Sequence, residues 1–173
     1  MSVTATASES CLARGGKYLT FALGREEYGL EILKVREIIG YMEITAVPRT
    51  PSCVKGVINL RGQVISVIDL RSKFSMPVAE RTEETCIIVV EIRNGDRKLN
   101  VGIVVDRVRE VKDIAAEQIE DAPSFGSDLD TSFILGMGKI GEEVKILLDI
   151  DRVLGSAEIA HLENQHAPVR KAA

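Results

Sequence analysis

The hexapeptide Gly136-Met137-Gly138-Lys139-Ile140-Gly141 has the G-x-G-x-x-G spacing of a dinucleotide-binding turn. That chemistry needs a strand before the glycines and a helix opening within them, whose N-terminal amides hold the pyrophosphate. Here the β-type run Val144-Lys145-Ile146-Leu147-Leu148 follows instead. The motif fails in its context and reads as a glycine-bearing turn. Both histidines, His161 and His166, stand near the C-terminus, and no G-x-S-x-G elbow supplies a nucleophile for them. His161, Glu163 and His166 have the donor types of a metal site, but a solvated tail is the reading favoured by their setting. The three cysteines, Cys11, Cys53 and Cys86, are odd in number and widely spaced. They match no disulfide frame or metal motif, and Cys86, in an apolar run, reads as a small core residue. The residues offer no catalytic set, no metal ligands and no cofactor site.

Two charges stand out instead. Glu37 and Arg61 each lie at the edge of an apolar stretch. They read either as two solvated surface charges or as a pair near the junction of two halves, holding the angle of a hairpin. In the second case, removing one partner leaves the other unpaired.

The halves follow from an internal repeat. Tyr28 to Ile38 and Val101 to Val111 align at an offset of 73, with Gly, Val, Arg and Glu identical and four further positions alike. A second block, Gly56 to Leu70, aligns with Gly136 to Ile150 at an offset of 80. Gly56 meets Gly136, Val64 meets Val144 and Asp69 meets Asp149. The change of offset places an insertion of about seven residues near 124–132, a loop-type stretch. Finding a repeat first constrains the whole fold.

The elements that position these residues are short strands. Tyr18 to Leu23 and Tyr28 to Ile32 form one expected hairpin. Ile87 to Ile92 and Leu99 to Val105, around Asn94-Gly95, form another. Val57 to Leu60 and Val64 to Ile68 flank the turn Arg61-Gly62-Gln63. Ile32 to Ile39 fits a helical face in part, yet its β-branched residues favour strand. Pro48-Arg49-Thr50-Pro51 makes a stiff connector. Asp69 and Asp149 precede short helical patterns and are expected N-caps. The expected class is all-β: two pseudo-symmetric five-stranded SH3-like barrels with short helical turns and a short C-terminal helix. The halves are placed at about 17–80 and 83–155, with exchange of strands between them allowed. Residues 1–16 read as a flexible tail, and 156–173 as a short helix and tail. Closed barrels would hide the sheet edges.

Composition narrows function. Lys and Arg number 22 against 26 Asp and Glu, for a net charge of −4, and there is no Trp. This argues against a nucleic-acid footprint or a stacking platform. The apolar runs are too short to span a bilayer, and residues 1–16 lack the core of a secretory signal. The chain reads as cytoplasmic.

Lys55-Gly56-Val57-Ile58-Asn59-Leu60-Arg61-Gly62, followed by Val67-Ile68-Asp69-Leu70, resembles the signature of the CheW family of bacterial chemotaxis coupling proteins. Tyr28 to Val35, Thr50-Pro51 and Val101 to Asp106 agree with it, so the resemblance runs over about 17–154. It implies an adaptor without enzymatic activity or cofactor. Such an adaptor joins the cytoplasmic tips of methyl-accepting chemoreceptors to the SH3-like regulatory domain of the histidine kinase CheA and helps to assemble the array at the membrane. It implies a receptor surface in the groove between barrels, involving Ile32, Val35, Glu37, Val108 and Val111 with Arg61 nearby. It implies a kinase surface around Ile39, Gly40, Val47, Gly56 and Val57. Ser66 departs from the family, which often has Pro there. The alternative of another class is a tandem small-barrel module binding a ligand or nucleic acid, which the acidic balance and scarce aromatics disfavour.

Overall fold

The computed structural model describes residues 15–94, 96–121 and 133–153. Their β-branched and alternating segments form β1 (Gly16–Leu23), β2 (Glu26–Glu31), β3 (Val35–Gly40), β4 (Val54–Leu60) and β5 (Gln63–Asp69). Then come β6 (Cys86–Asn94), β7 (Arg97–Val105), β8 (Arg107–Ile114), β9 (Ile119–Glu120), β10 (Ile134–Ile140) and β11 (Glu143–Leu148). Two helices of a single turn follow β5 and β11: α1 (Leu70–Lys73) and α2 (Ile150–Val153). Both begin as expected. The Asp69 carboxylate accepts the Arg71 N–H at 3.0 Å, and Asp149 accepts that of Asp151 at 3.1 Å. The segment that fitted both helix and strand divides: Ile32–Lys34 is a 3-10 turn and Val35 onward is strand. The glycines of the G-x-G-x-x-G motif lie in β10 and its turn, with no helix among them. The 124–132 loop, the 156–164 helix, both tails, Cys11 and both histidines lie outside the described residues.

The strands form two sheets. One has the order β8-β1-β2-β11-β10-β9 and the other β3-β6-β7-β5-β4. The all-β class holds, but the strand numbers are six and five, and neither ladder closes into a barrel. In the second sheet the free edge of β4 is taken by the connector rather than by β3. The Thr45 and Val57 backbones exchange bonds of 2.8 and 2.9 Å. In the first, the last strand is only two residues long, too short to seal against β8.

Two units carry these sheets. Of the described residues, the first combines 15–35 with 107–121 and 133–153; the second holds residues 36–106. The units do not follow the chain halves, because β1 and β2 are built into one sheet with β8 to β11. In the first unit Tyr18, Ile114 and Leu147 form a core cluster. In the second, Ile58, Ile65, Val67, Ile87 and Val89 do so. Cys53 is the buried cysteine; Cys86, expected in the core, is only half-buried.

The repeat is visible rung by rung. Parallel β5 and β7 pair Ser66 with Val101, Val67 with Gly102 and Ile68 with Ile103. Parallel β11 and β2 pair Ile146 with Tyr28, Leu147 with Gly29 and Leu148 with Leu30. The sequence offsets carry one set onto the other. The shared glycine has a packing cause: a Cβ on Gly29 would stand 2.8 Å from a Leu147 methyl, and one on Gly102 2.8 Å from an Ile87 methyl.

Candidate functional site: the Arg61 hairpin and the exposed apolar residues

The β4–β5 hairpin turns on two residues, Arg61 and Gly62, between the pair Leu60 and Gln63. Their φ angles are 52° and 89°, the two positive values that a tight hairpin turn of matching twist demands. The Gly62 N–H donates to the Asn59 side-chain oxygen at 2.9 Å. The β10–β11 hairpin also turns on two residues and opens with Gly141, at φ 62°, but its second residue, Glu142, has no positive φ. Arg61 therefore holds a backbone shape that the other unit gives to glycine, and L-residues resist it sterically.

The Arg61 guanidinium forks onto one carboxylate. Its two terminal nitrogens donate to both carboxylate oxygens of Glu37 on β3, at 2.8 and 2.7 Å. This fork-to-fork geometry fixes orientation as well as distance. Of the sharper reading of the two charges, the pairing is observed, and both residues belong to the second unit. Arg61 remains 69% exposed while Glu37 is 30% exposed. The hydrogen bonds from Arg61 hold the Glu37 carboxyl below its ordinary range, against a smaller upward push from desolvation.

The remaining receptor-set residues belong to the first unit. Val35 opens β3 and Ile32 lies in the 3-10 turn, both half-buried. Val108 and Val111 lie on β8, paired with Phe21 and Leu19 of β1. Val108 is half-buried, and Val111 is 49% exposed. Exposed apolar residues outside the expected set include Val78, 92% exposed, Leu33, 90% exposed, and Ile38, 45% exposed. The repeat could have found Ile38, since it aligns with Val111. Val64 and Val144 form another aligned pair, both about half exposed. Exposed apolar residues recurring at equivalent positions of two units are not scattered surface variation.

The kinase set lies wholly in the second unit. Ile39 packs against its core cluster, and Gly40 ends β3 in solvent. Val57 bridges Thr45, and the buried backbone of Gly56 lies so close to Thr45 and Ala46 that a Cβ would collide with them. Val47, half-buried, continues this connector, its carbonyl accepting the Thr50 hydroxyl at 3.1 Å. Gly56 thus serves to seat the connector, and Gly40, Val47 and Val57 supply what solvent reaches.

Among the described residues no group of three or more His, Cys, Asp or Glu side chains is placed to hold a metal ion. No helix there is long and apolar enough to cross a membrane. The site is an ion-paired turn and exposed apolar side chains, an arrangement for contact. The model of the CheW-like domain matches residues 17–158. The chain belongs to this family. It is 46% identical over 150 residues to a chemotaxis protein CheW of Klebsiella aerogenes, covering 87% of this chain and 88% of that one. It is 34% identical to a chemotaxis protein CheW of Rhizobium meliloti, over 85% of this chain and 93% of the relative. Among solved structures, the scaffolding protein TtCheW of Thermoanaerobacter tengcongensis matches with a TM-score of 0.74 and 33% identity, covering 83% of this chain and 95% of that one. Membership of the CheW family makes the chain a coupling adaptor of chemotaxis, a scaffold protein acting through contacts with array partners.

Proposed function

We propose that this CheW-family chain is a non-catalytic cytoplasmic adaptor that holds the cytoplasmic tips of chemoreceptors and the regulatory domain of the histidine kinase CheA at once. Ile32, Val35, Glu37, Arg61, Val108 and Val111 form the receptor contact, and Ile39, Gly40, Val47, Gly56 and Val57 the kinase contact. The observation that carries the receptor assignment is Arg61: a strained turn residue locked by Glu37 and held in solvent serves recognition, since the repeat shows that glycine suffices for the fold. A receptor tip is helical, and half-buried Val and Ile side chains suit the apolar stripe of a helix. Individually modest contacts gain strength from the multivalency of an array.

Reconstitution tests this reading. Added to CheA and receptor-bearing membranes, the protein should raise kinase autophosphorylation only when receptor is present. Stimulation without receptor, or none with it, removes the adaptor role. Val35→Lys should weaken receptor-fragment binding about tenfold while the melting temperature and kinase binding hold; unchanged receptor binding by the folded variant takes Val35 out of the surface.

A further inference from the structure

The two units differ where their repeat predicts sameness: each parallel ladder has four rungs, but the two are displaced by one. At one end the first unit gains a rung, Lys145 with Glu27, and at the other the second gains Asp69 with Val104. The Lys145 rung is closed by charge. The buried Lys145 ammonium donates to Glu27, and to Glu143 at 2.9 Å, while Arg109 reaches Glu27 at 3.1 Å. The sequence offsets place Ile65, Asn100, Gln63 and Arg36 at these four positions of the second unit. There the rung is absent, and the ladder begins only at Ser66 and Val101. A cleft of about 470 Å³ lies at these ends of β5 and β7.

The lining of this cleft defines its guest. Ile65 and Val89 are buried at its base, with Leu60 half-buried beside them. Its lining charges are already committed, Arg61 to Glu37 and Arg36 to Glu91 at 3.3 Å. The carboxamides of Gln63 and Asn100 have no hydrogen-bond partner among the described residues. A charged guest would lose its hydration without an unclaimed counter-charge. A purely apolar guest would desolvate two carboxamides and leave them unpaired. A carboxamide satisfies both walls, accepting from one and donating to the other, and lays its methylenes on the apolar base.

We infer that this cleft, opened where the sister unit is stapled shut, receives one asparagine or glutamine side chain of the receptor-tip helix. The inference rests on the receptor reading above and adds a chemical identity to one contact.

Titration calorimetry with a soluble receptor cytoplasmic fragment tests it. Ile65→Lys with Asn100→Glu transplants the staple of the first unit into the cleft; receptor affinity should fall at least tenfold, with affinity for the CheA regulatory domain within twofold of the parent. Asn100→Leu and Gln63→Leu should each cost about fivefold. These surface changes settle the matter if the transplant fails to fold. One tip asparagine or glutamine, changed to leucine, should lose no further affinity in the Asn100→Leu background. Full receptor affinity in the transplant, or in both leucine variants, overturns the cleft while leaving the receptor reading intact. Additive losses for every tip carboxamide overturn the carboxamide guest. Failure of the parent protein to bind receptor overturns both readings.

Discussion

Arg61 occupies a backbone conformation that only its side chain justifies. Arg61→Gly relieves the turn and forfeits an exposed ion pair of the kind that contributes little to stability. The melting temperature should hold or rise while receptor-fragment affinity drops; a clear loss of stability would make Arg61 a structural residue. The same variant has a pH signature. Glu37 titrates below its ordinary 4.5 in the folded chain, so its pairing contributes stability above about pH 4.5, and that contribution is lost as pH falls through the lowered value. In Arg61→Gly the Glu37 carboxyl resonance should titrate nearer 4.5. Both residues were legible in the sequence as charges beside apolar runs. The left-handed turn was not, because nothing local distinguishes an arginine held there by a distant glutamate. Ser66 is the converse case. It is fully buried, its hydroxyl has no hydrogen-bond partner among the described residues, and its backbone is paired on both sides, with Val57 and Val101. Removing an unsatisfied buried hydroxyl is favourable, so Ser66→Ala should raise stability by about 1 kcal/mol. The readout is a higher urea midpoint at an unchanged slope.

Among the elements, the hairpins were readable and their partners were not. Each hairpin is written in a few adjacent residues, an alternation and a two-residue turn. The partnership of β1 with β8 joins residues about 90 positions apart, and local pattern carries no record of it. The same distance hid the Lys145 cluster. In sequence Lys145 interrupts an apolar run, and its partner Glu27 lies 118 positions away. Lys145→Ala leaves Glu27 with Arg109 alone and should cost about 3 kcal/mol, the low end for breaking a buried pair. Chemical denaturation reads this directly. Burial works to lower the Lys145 pKa, and the bonds to Glu27 and Glu143 override it, leaving the value above the ordinary 10.5. The stabilisation is therefore complete below about pH 10.5 and fades as pH rises through the folded value. Stability measured across that alkaline window should fall less steeply in Lys145→Met than in the parent. The repeat marked the position but not this asymmetry, which needed both ladders in view.

At the scale of the whole chain, doubling was legible and exchange of strands was allowed for, but which strands exchange was not legible. Halves in a sequence suggest halves in space, yet the first unit draws β1 and β2 from one end of the chain and β8 to β11 from the other. A chain ending at Asp106 keeps every strand of the second unit and strips the first of four. Amide exchange of that fragment should show protection over β4 to β7 and none over β1 and β2; protection in β1 and β2 would mean their hairpin stands without its sheet. The same wiring bears on biosynthesis. The opening hairpin leaves the ribosome long before β11, which its Glu27 must meet 118 residues later, a wait of roughly 6 to 24 s at ordinary translation speeds. Until β8 and then β11 follow, the nascent chain carries bare strand edges past the exit tunnel, a natural substrate for chaperones that greet newborn polypeptides.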